Sequence, residues 1–416
     1  MKYLQAIAIG AILFSCDKSN TPVSNIKTGE WRASLEIQGR ELPFNIDLFN
    51  TKGGGYHAYI VNADERLRLD DVFVSDDSID FPLHIFDANI KAKVSPDGRT
   101  LTGSFIKNDV DDYVIPFKAE FDKGYRFKPD TTQGVIEQFA GKYEVTFINP
   151  KDTTNAIGVF KQNGDSVTGT FLTATGDYRY LQGNVVDGKM QLSTFDGNHA
   201  YLFTATKDSN GNLAGEFLSG KSSKATWTAI KNEDATLPNP ESLTYLKPGY
   251  ETIEFKFPDV NGNMVSLSDE KYKNKVVILQ LFGTWCPNCM DETKFLAPWY
   301  EKNKDKGVEV IGLAFEKKDD FGYASGRVKN MIEKLDVKYD FVIAGTSDKG
   351  NASKALPMLN KVGAFPTTIF IGKDGKVKSI HTGFSGPGTG IYYEQFVQHF
   401  NEKVNELLND NLSLNN

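Results

Sequence analysis

Cysteine is scarce in this chain: three residues in 416, at Cys16, Cys286 and Cys289. So few thiols exclude a disulfide-stapled scaffold, and each is expected to have its own task. Positive charge is not in excess either. Lys and Arg number 47 against 54 Asp and Glu, a formal net charge of −7. With no basic surplus to neutralise phosphates, nucleic acid is not an expected partner. Long apolar runs are missing too. The run at residues 6–14 falls well short of the roughly 20 residues a membrane-spanning helix needs. Histidine counts only five, and His57, His84 and His199 have no second ligand at metal spacing, so no metal site is expected. What is present is ordinary globular material, 40% hydrophobic and 24% charged, in a chain long enough for two or three domains. The 29 Phe, 17 Tyr and 37 Gly favour β structure with tight turns.

The N-terminus explains the first cysteine. Lys2 precedes the short apolar run, which fits a signal-peptide core. The run ends in Leu13-Phe14-Ser15-Cys16, which resembles a bacterial lipobox, although Phe14 is larger than the residue usual there. The resemblance implies a signal peptide over 1–15, lipidation of Cys16 and a polar tether over 16–26. Several acyl chains on one cysteine hold a protein firmly on a membrane. The implied location is the bacterial cell envelope, lipid-anchored on the periplasmic side of the inner or outer membrane. The plainer alternative is an ordinary cleaved signal with Cys16 as a spectator.

Residues 27–231 alternate polar and apolar residues between turn signals such as Lys52-Gly53-Gly54-Gly55, Pro96-Asp97-Gly98 and Asp187-Gly188-Lys189. This pattern predicts antiparallel sheet. The segment also repeats. Gly29-Glu30-Trp31 matches Gly141-Lys142-Tyr143, and Leu101-Thr102-Gly103-Ser104-Phe105 matches Leu213-Ala214-Gly215-Glu216-Phe217, both at an offset of 112. Phe86-Asp87-Ala88-Asn89 matches Phe195-Asp196-Gly197-Asn198 at 109. Two units of about 100 residues are too long for a solenoid period, so the expectation is a duplicated β-sandwich or barrel-like module over 27–130 and 131–231. Trp31 and Trp227 are read as core. The region shows no catalytic constellation, and a spacer is favoured over a face that binds a partner or an extended peptide. The polar, proline-marked stretch 232–245 reads as a linker.

From 246 the pattern changes. Residues 276–282, 308–315 and 368–371 form nearly continuous apolar runs, as buried strands should. Helical periodicity follows at about 287–303, 325–335, 352–361 and 391–408. Strands alternating with helices predict an α/β layered domain over 246–408, followed by a tail at 409–416.

Directly after the first buried strand stands Gly283-Thr284-Trp285-Cys286-Pro287-Asn288-Cys289. With Glu292, Phe365-Pro366-Thr367-Thr368, Asp374-Gly375-Lys376 and His381-Thr382-Gly383, this set resembles the TlpA/ResA branch of thioredoxin-fold thiol-disulfide oxidoreductases. The resemblance covers about 246–408 and implies a membrane-anchored extracytoplasmic reductase of protein disulfides. It would be re-reduced by a membrane electron donor and need no cofactor beyond the Cys286–Cys289 pair. Among the substrates implied are the cysteines of apocytochrome c before haem attachment. Cys286 is the implied nucleophile, since a helix N-terminus favours its thiolate, and Cys289 the resolving thiol. Pro366 matches the family's cis-proline, and Trp285, Phe365, Pro366 and Thr367 are implied to bind substrate. Glu292 is implied to exchange protons with the dithiol. Gln280 stands six residues before Cys286, where thioredoxin keeps a buried acid. That neutral amide leaves proton handling to Glu292 or water. The family's proline two residues after the Glu is replaced by Lys294, with Pro298 further on. A zinc site, a thiol peroxidase and a lipoprotein whose β region binds a ligand or partner are the alternatives. Zinc is weakest, because two thiols without a nearby His cannot complete four ligands.

Overall fold

The computed structural model describes residues 25–83, 85–128 and 136–410. The expected signal peptide, Cys16, most of the tether, His84 and the join between the two β units lie outside them.

The first β unit is a closed antiparallel barrel. Its strands are β1 (Gly29–Ile37), β2 (Arg40–Asn50), β3 (Tyr56–Asn62), β4 (Glu65–Ser75), β5 (Ser78–Pro82), β6 (Ala88–Val94), β7 (Thr100–Lys107) and β8 (Val114–Phe121). The chain runs up and down, and β1 pairs with β8 to close the ring. The second unit comprises β9 (Gly141–Ile148), β10 (Thr153–Asn163), β11 (Ser166–Thr173), β12 (Gly176–Asp177), β13 (Leu181–Val186), β14 (Lys189–Phe195), β15 (Ala200–Lys207), β16 (Leu213–Ser219) and β17 (Ser223–Lys231). Here β9 pairs with β17 and β10 with β11, so this sheet also closes. β12 hangs on β11 alone as a flap. Barrels remove the exposed edges that an open sheet would present.

The duplication is visible in detail. Gly29 pairs with Leu48 and Gly141 with Phe160, both offset by 112. Trp31 Nε1 donates to Lys27 O at 3.0 Å, and Tyr143 OH donates to Phe139 O at 3.1 Å. Gly103 and Gly215 hold the same tight crossing. A Cβ would come within 1.9 Å of Lys91 O in the first barrel and 1.8 Å of Thr204 O in the second. The match at 109 does not share register. Asn89 lies in β6 opposite Pro82, whereas Asn198 sits in the turn before β15. Inward residues fill both barrels. In the second, Phe147, Phe171, Phe203, Phe217 and Trp227 form a packed aromatic core, with Phe203 and Phe217 stacked at 4.4 Å. Its interior is therefore a core and not a ligand cavity.

The barrels are clamped to each other. Buried Arg126, on the segment between them, donates to Val61 O (3.1 Å) and Asn62 Oδ1 (2.8 Å) in the first. It donates to Gln182 Oε1 (3.0 Å) and Ser193 O (3.1 Å) in the second. Phe195 packs on Phe44 at 4.6 Å and on Phe105 at 5.0 Å.

The stretch 232–245, expected as a linker, is itself packed against its neighbours. Ala235 is buried. Glu241 Oε1 accepts from Ser379 Oγ at 2.7 Å and lies 3.0 Å from His399 Nε2. The C-terminal domain then opens with a small hairpin, β18 (Lys256–Pro258) and β19 (Met264–Ser266). Its five-stranded sheet has the order β22-β21-β20-β23-β24. The strands are β20 (Val276–Phe282), β21 (Val308–Glu316), β22 (Asp340–Thr346), β23 (Thr367–Ile371) and β24 (Val377–Thr382). The first three are parallel and the last two antiparallel. Helices α1 (Pro287–Asn303), α2 (Phe321–Leu335), α3 (Lys349–Ala355) and α4 (Ile391–Asn409) cover it. Every residue of β20 is buried, because both of its faces are covered. Val276, Ile278 and Phe282 belong to one core with Leu296, Val328 and Phe396, while Val277, Leu279 and Leu281 belong to another with Phe255, Ala352 and Leu356. This is the thioredoxin-like arrangement. Two helices differ from the periodicity reading. Asp320 caps α2 by accepting from Tyr323 N, which starts that helix at Phe321. Asp348 likewise starts α3 early, and Pro357 follows its end, where a helix cannot continue.

Candidate active site

The dithiol sits where β20 hands over to α1. Cys286 is the N-cap and keeps extended backbone, while Pro287 occupies the first helical position, where its missing N–H costs no helical bond. Cys286 and Cys289 are joined as a disulfide. Cys289 N–H points at Cys286 Sγ at 3.2 Å. The first backbone donors of α1 and the positive end of its dipole therefore face the Cys286 sulfur, which favours a thiolate there. Cys286 is 6% exposed and Cys289 1%, so Cys286 is the more accessible sulfur.

The segment before β23 closes one side. The Phe365–Pro366 peptide is cis, and Phe365 O lies 3.6 Å from Cys286 Sγ. Thr367 is fully buried and its hydroxyl donates to Ala364 O at 2.9 Å. Its side chain therefore shapes this loop, and a substrate could meet only its backbone. Trp285 is half-buried. Its Nε1 donates to Phe315 O at 2.8 Å, its ring meets Phe365 edge-on at 5.8 Å, and Lys317 Nζ lies 4.1 Å from the ring centre. Packing and rim placement are thus combined in one residue.

Glu292 lies on α1, fully buried. Thr368 Oγ1 donates to its Oε1 at 2.5 Å and Gln280 Nε2 to its Oε2 at 2.8 Å. Burial pushes its carboxyl up to about 7, outweighing the two hydrogen bonds. Gln280 is itself oriented by Tyr339 OH at 3.1 Å and reaches Thr293 Oγ1 at 3.1 Å. Thr293 in turn donates to Cys289 O at 2.9 Å. The amide that replaces a titrating acid thus serves to hold Glu292. Because its carboxyl is raised, the folded protein holds a proton here that the unfolded chain releases near pH 4.5. Stability should therefore fall between about pH 4.5 and 7, by up to about 3 kcal/mol from this group. Glu292→Gln should remove that fall, as read by denaturant unfolding at stepped pH.

Two parts of the site have no sequence signature. Glu316 ends the apolar strand β21 and accepts from Thr284 N and Thr284 Oγ1, both at 2.8 Å, fixing the loop that carries Trp285. Strand β21 carries two buried carboxylates, Glu309 and Glu316, and nothing in the sequence tells which of them reaches the dithiol loop. The second part is the second barrel, expected to be a spacer, which packs directly on the dithiol loop. Asn198 Nδ2 donates to Trp285 O at 2.7 Å and Asn288 Nδ2 to Asp177 O at 3.3 Å. Arg179, 1% exposed, donates to Pro287 O at 3.1 Å. It also pairs with Asp291 of α1, with Glu65 of the first barrel and with Asp196 at 3.3 Å. One guanidinium therefore ties all three units together. His199, read as an isolated histidine, lies 3.1 Å from Asp196 Oδ2 and stacks on Tyr201 at 4.7 Å. His199, Tyr178 and Tyr201 share a cleft of about 430 Å³ with Trp285, Cys286 and Phe365.

With this geometry in hand, likeness to known proteins is informative. The AhpC/TSA family matches residues 248–380. A thiol-disulfide oxidoreductase ResA of Bacillus cereus is 36% identical over 129 residues, 31% of this chain and 66% of that protein. That of Geobacillus kaustophilus is 31% identical over 140 residues, 34% of this chain and 72% of the relative. A solved putative protein disulfide isomerase from Bacteroides thetaiotaomicron is 21% identical, covering 40% of this chain and 92% of that one with a TM-score of 0.31. The chain thus spans 66% of the length of the Bacillus cereus relative, and about two thirds of this chain lies outside the match. Through its C-terminal thioredoxin-like domain, the chain belongs to the ResA family of thiol-disulfide oxidoreductases.

Proposed function

We propose that this chain is a membrane-anchored, extracytoplasmic thiol-disulfide oxidoreductase that reduces disulfides carried by polypeptides. The observation that carries the reading is the Cys286–Cys289 pair at the N-terminus of α1, with Cys289 N–H directed at Cys286 Sγ. The Cys286 thiolate attacks one sulfur of the substrate disulfide, and the other sulfur leaves as a thiolate that takes a proton. Cys289 then attacks Cys286, closing the pair and releasing the second substrate thiol. Two electrons pass to the substrate, and a membrane electron donor returns them to the pair.

Glu292, held near neutrality by burial, is matched to exchanging a proton as the pair opens and closes. Trp285, Phe365 and Pro366 present the surface on which an extended substrate segment would lie, with the backbone at Thr367 continuing it. Lipidation of Cys16 would keep the chain on the periplasmic side of a membrane, beside its donor.

The test is turnover of a disulfide-linked peptide pair by the full chain with dithiothreitol as reductant. Wild type should turn over and Cys286→Ser should not. Equal rates would overturn the redox reading. In cells fed a labelled fatty acid, label should enter the wild-type chain and be lost in Cys16→Ser.

A further inference from the structure

The second barrel supplies most of the wall of the cleft in front of Cys286, including Tyr178, His199, Tyr201, Phe217, Ser219 and Ser223. With Cys286 only 6% exposed, a substrate sulfur must approach through this space. We propose that the second barrel is the specificity wall of the redox site. It selects disulfides borne on short extended peptide segments with an aromatic or other apolar side chain beside the cysteine. This rests on the redox reading above and adds the substrate class.

Three observations carry it. The first is size. At about 430 Å³ the cleft lies in the range of small-ligand pockets, roughly 300–1,000 Å³. No flat folded surface can fill a concave space of this kind. A few residues of extended chain can.

The second is chemistry. Tyr178 meets Tyr201 at 5.3 Å and Phe217 at 5.4 Å, forming an aromatic floor. The hydroxyl-bearing Ser219 and Ser223 line the same cleft. His199 is fixed by its stacking on Tyr201 and by Asp196. The Asp177 carboxylate is occupied by Gly386 N at 2.7 Å and Arg179 N at 2.6 Å. An apolar side chain on the aromatic floor, with a polar backbone against the hydroxyls, is what such a wall accommodates.

The third is rigidity. Arg179, Asn198 and Asn288 bind the barrel to the dithiol loop at several points. The wall is therefore a fixed part of the site and not a neighbouring module.

The experiment uses the full chain and three disulfides: a peptide pair with Phe beside Cys, the same pair with Gly beside Cys, and hydroxyethyl disulfide. Wild type should prefer the Phe pair over the Gly pair by about tenfold or more in kcat/KM, the scale on which apolar contact with the aromatic floor discriminates. Ser223→Trp, which fills the cleft from an exposed position, should bring that preference close to one. It should also lower the kcat/KM ratio of Phe pair to hydroxyethyl disulfide by about tenfold. Tyr201→Ala, which removes part of the floor, should act in the same direction. A wild type that reduces all three disulfides without preference, or a preference unmoved in both variants, overturns the proposal alone. A wild type that reduces none of them overturns the redox reading beneath it.

Discussion

Replacement of Cys289 by serine is expected to stop turnover at a covalent adduct between Cys286 and the substrate. Cys286 would still attack, because the N-terminus of α1 and the backbone N–H of residue 289 remain to favour its thiolate. What is lost is the second, intramolecular attack. Well-oriented intramolecular reactions reach effective molarities of about 10⁵ M or more, which external thiols at millimolar concentration do not match. Turnover should therefore drop by at least about a thousandfold, and intact-mass measurement should find the adduct near one per chain. Cys286→Ser should give neither turnover nor adduct. An adduct on residue 289 in that variant would reverse the assigned order of the two thiols.

The second large effect concerns Arg179. Its guanidinium faces Asp291, Glu65 and Asp196 inside the protein. One cation among three buried carboxylates is already short of positive charge, and burial pushes Glu65 above its ordinary value. Asp196 is held down at about 2 against its burial by His199 and Arg179. Arg179→Met would leave those carboxylates buried and uncompensated. Breaking a buried pair in this way costs about 3–5 kcal/mol. The loss should appear as a lower Tm. Adding Asp291→Asn and Glu65→Gln to Arg179→Met should recover part of it, since the orphaned charges are then gone. If Arg179→Met alone leaves Tm unchanged, Arg179 is not the clamp.

The redox centre was readable because its determinants are local. Trp285-Cys286-Pro287-Asn288-Cys289 lies within one strand-to-helix turn, and β20 announces itself as an unbroken apolar run. The two β units were readable as antiparallel sheet and as a repeat, because alternation and tight glycine crossings leave marks at fixed spacing. The choice between a sandwich and a closed barrel was not, since it depends on which distant strands pair. β1 with β8 and β9 with β17 are joined across whole units. Arg179, His199 and Asn198 were unreadable for the same reason. Each meets its partner across roughly a hundred residues or sits in a turn that looked like any other, and no period encodes such a meeting. Glu316 and Gln280 are intermediate cases, polar residues in apolar strands whose purpose is clear only from what they bond.

On the proposed mechanism, electrons leave the Cys286–Cys289 pair for a disulfide entering the cleft walled by the second barrel. Single turnover tests it most directly. The full chain is reduced, freed of reductant and mixed with an excess of the Phe-flanked peptide disulfide, and its cysteines are then mapped by mass after alkylation. One peptide disulfide should be reduced per chain, with Cys286 and Cys289 recovered as their mutual disulfide. A pair that stays reduced while the peptide disulfide persists would contradict it.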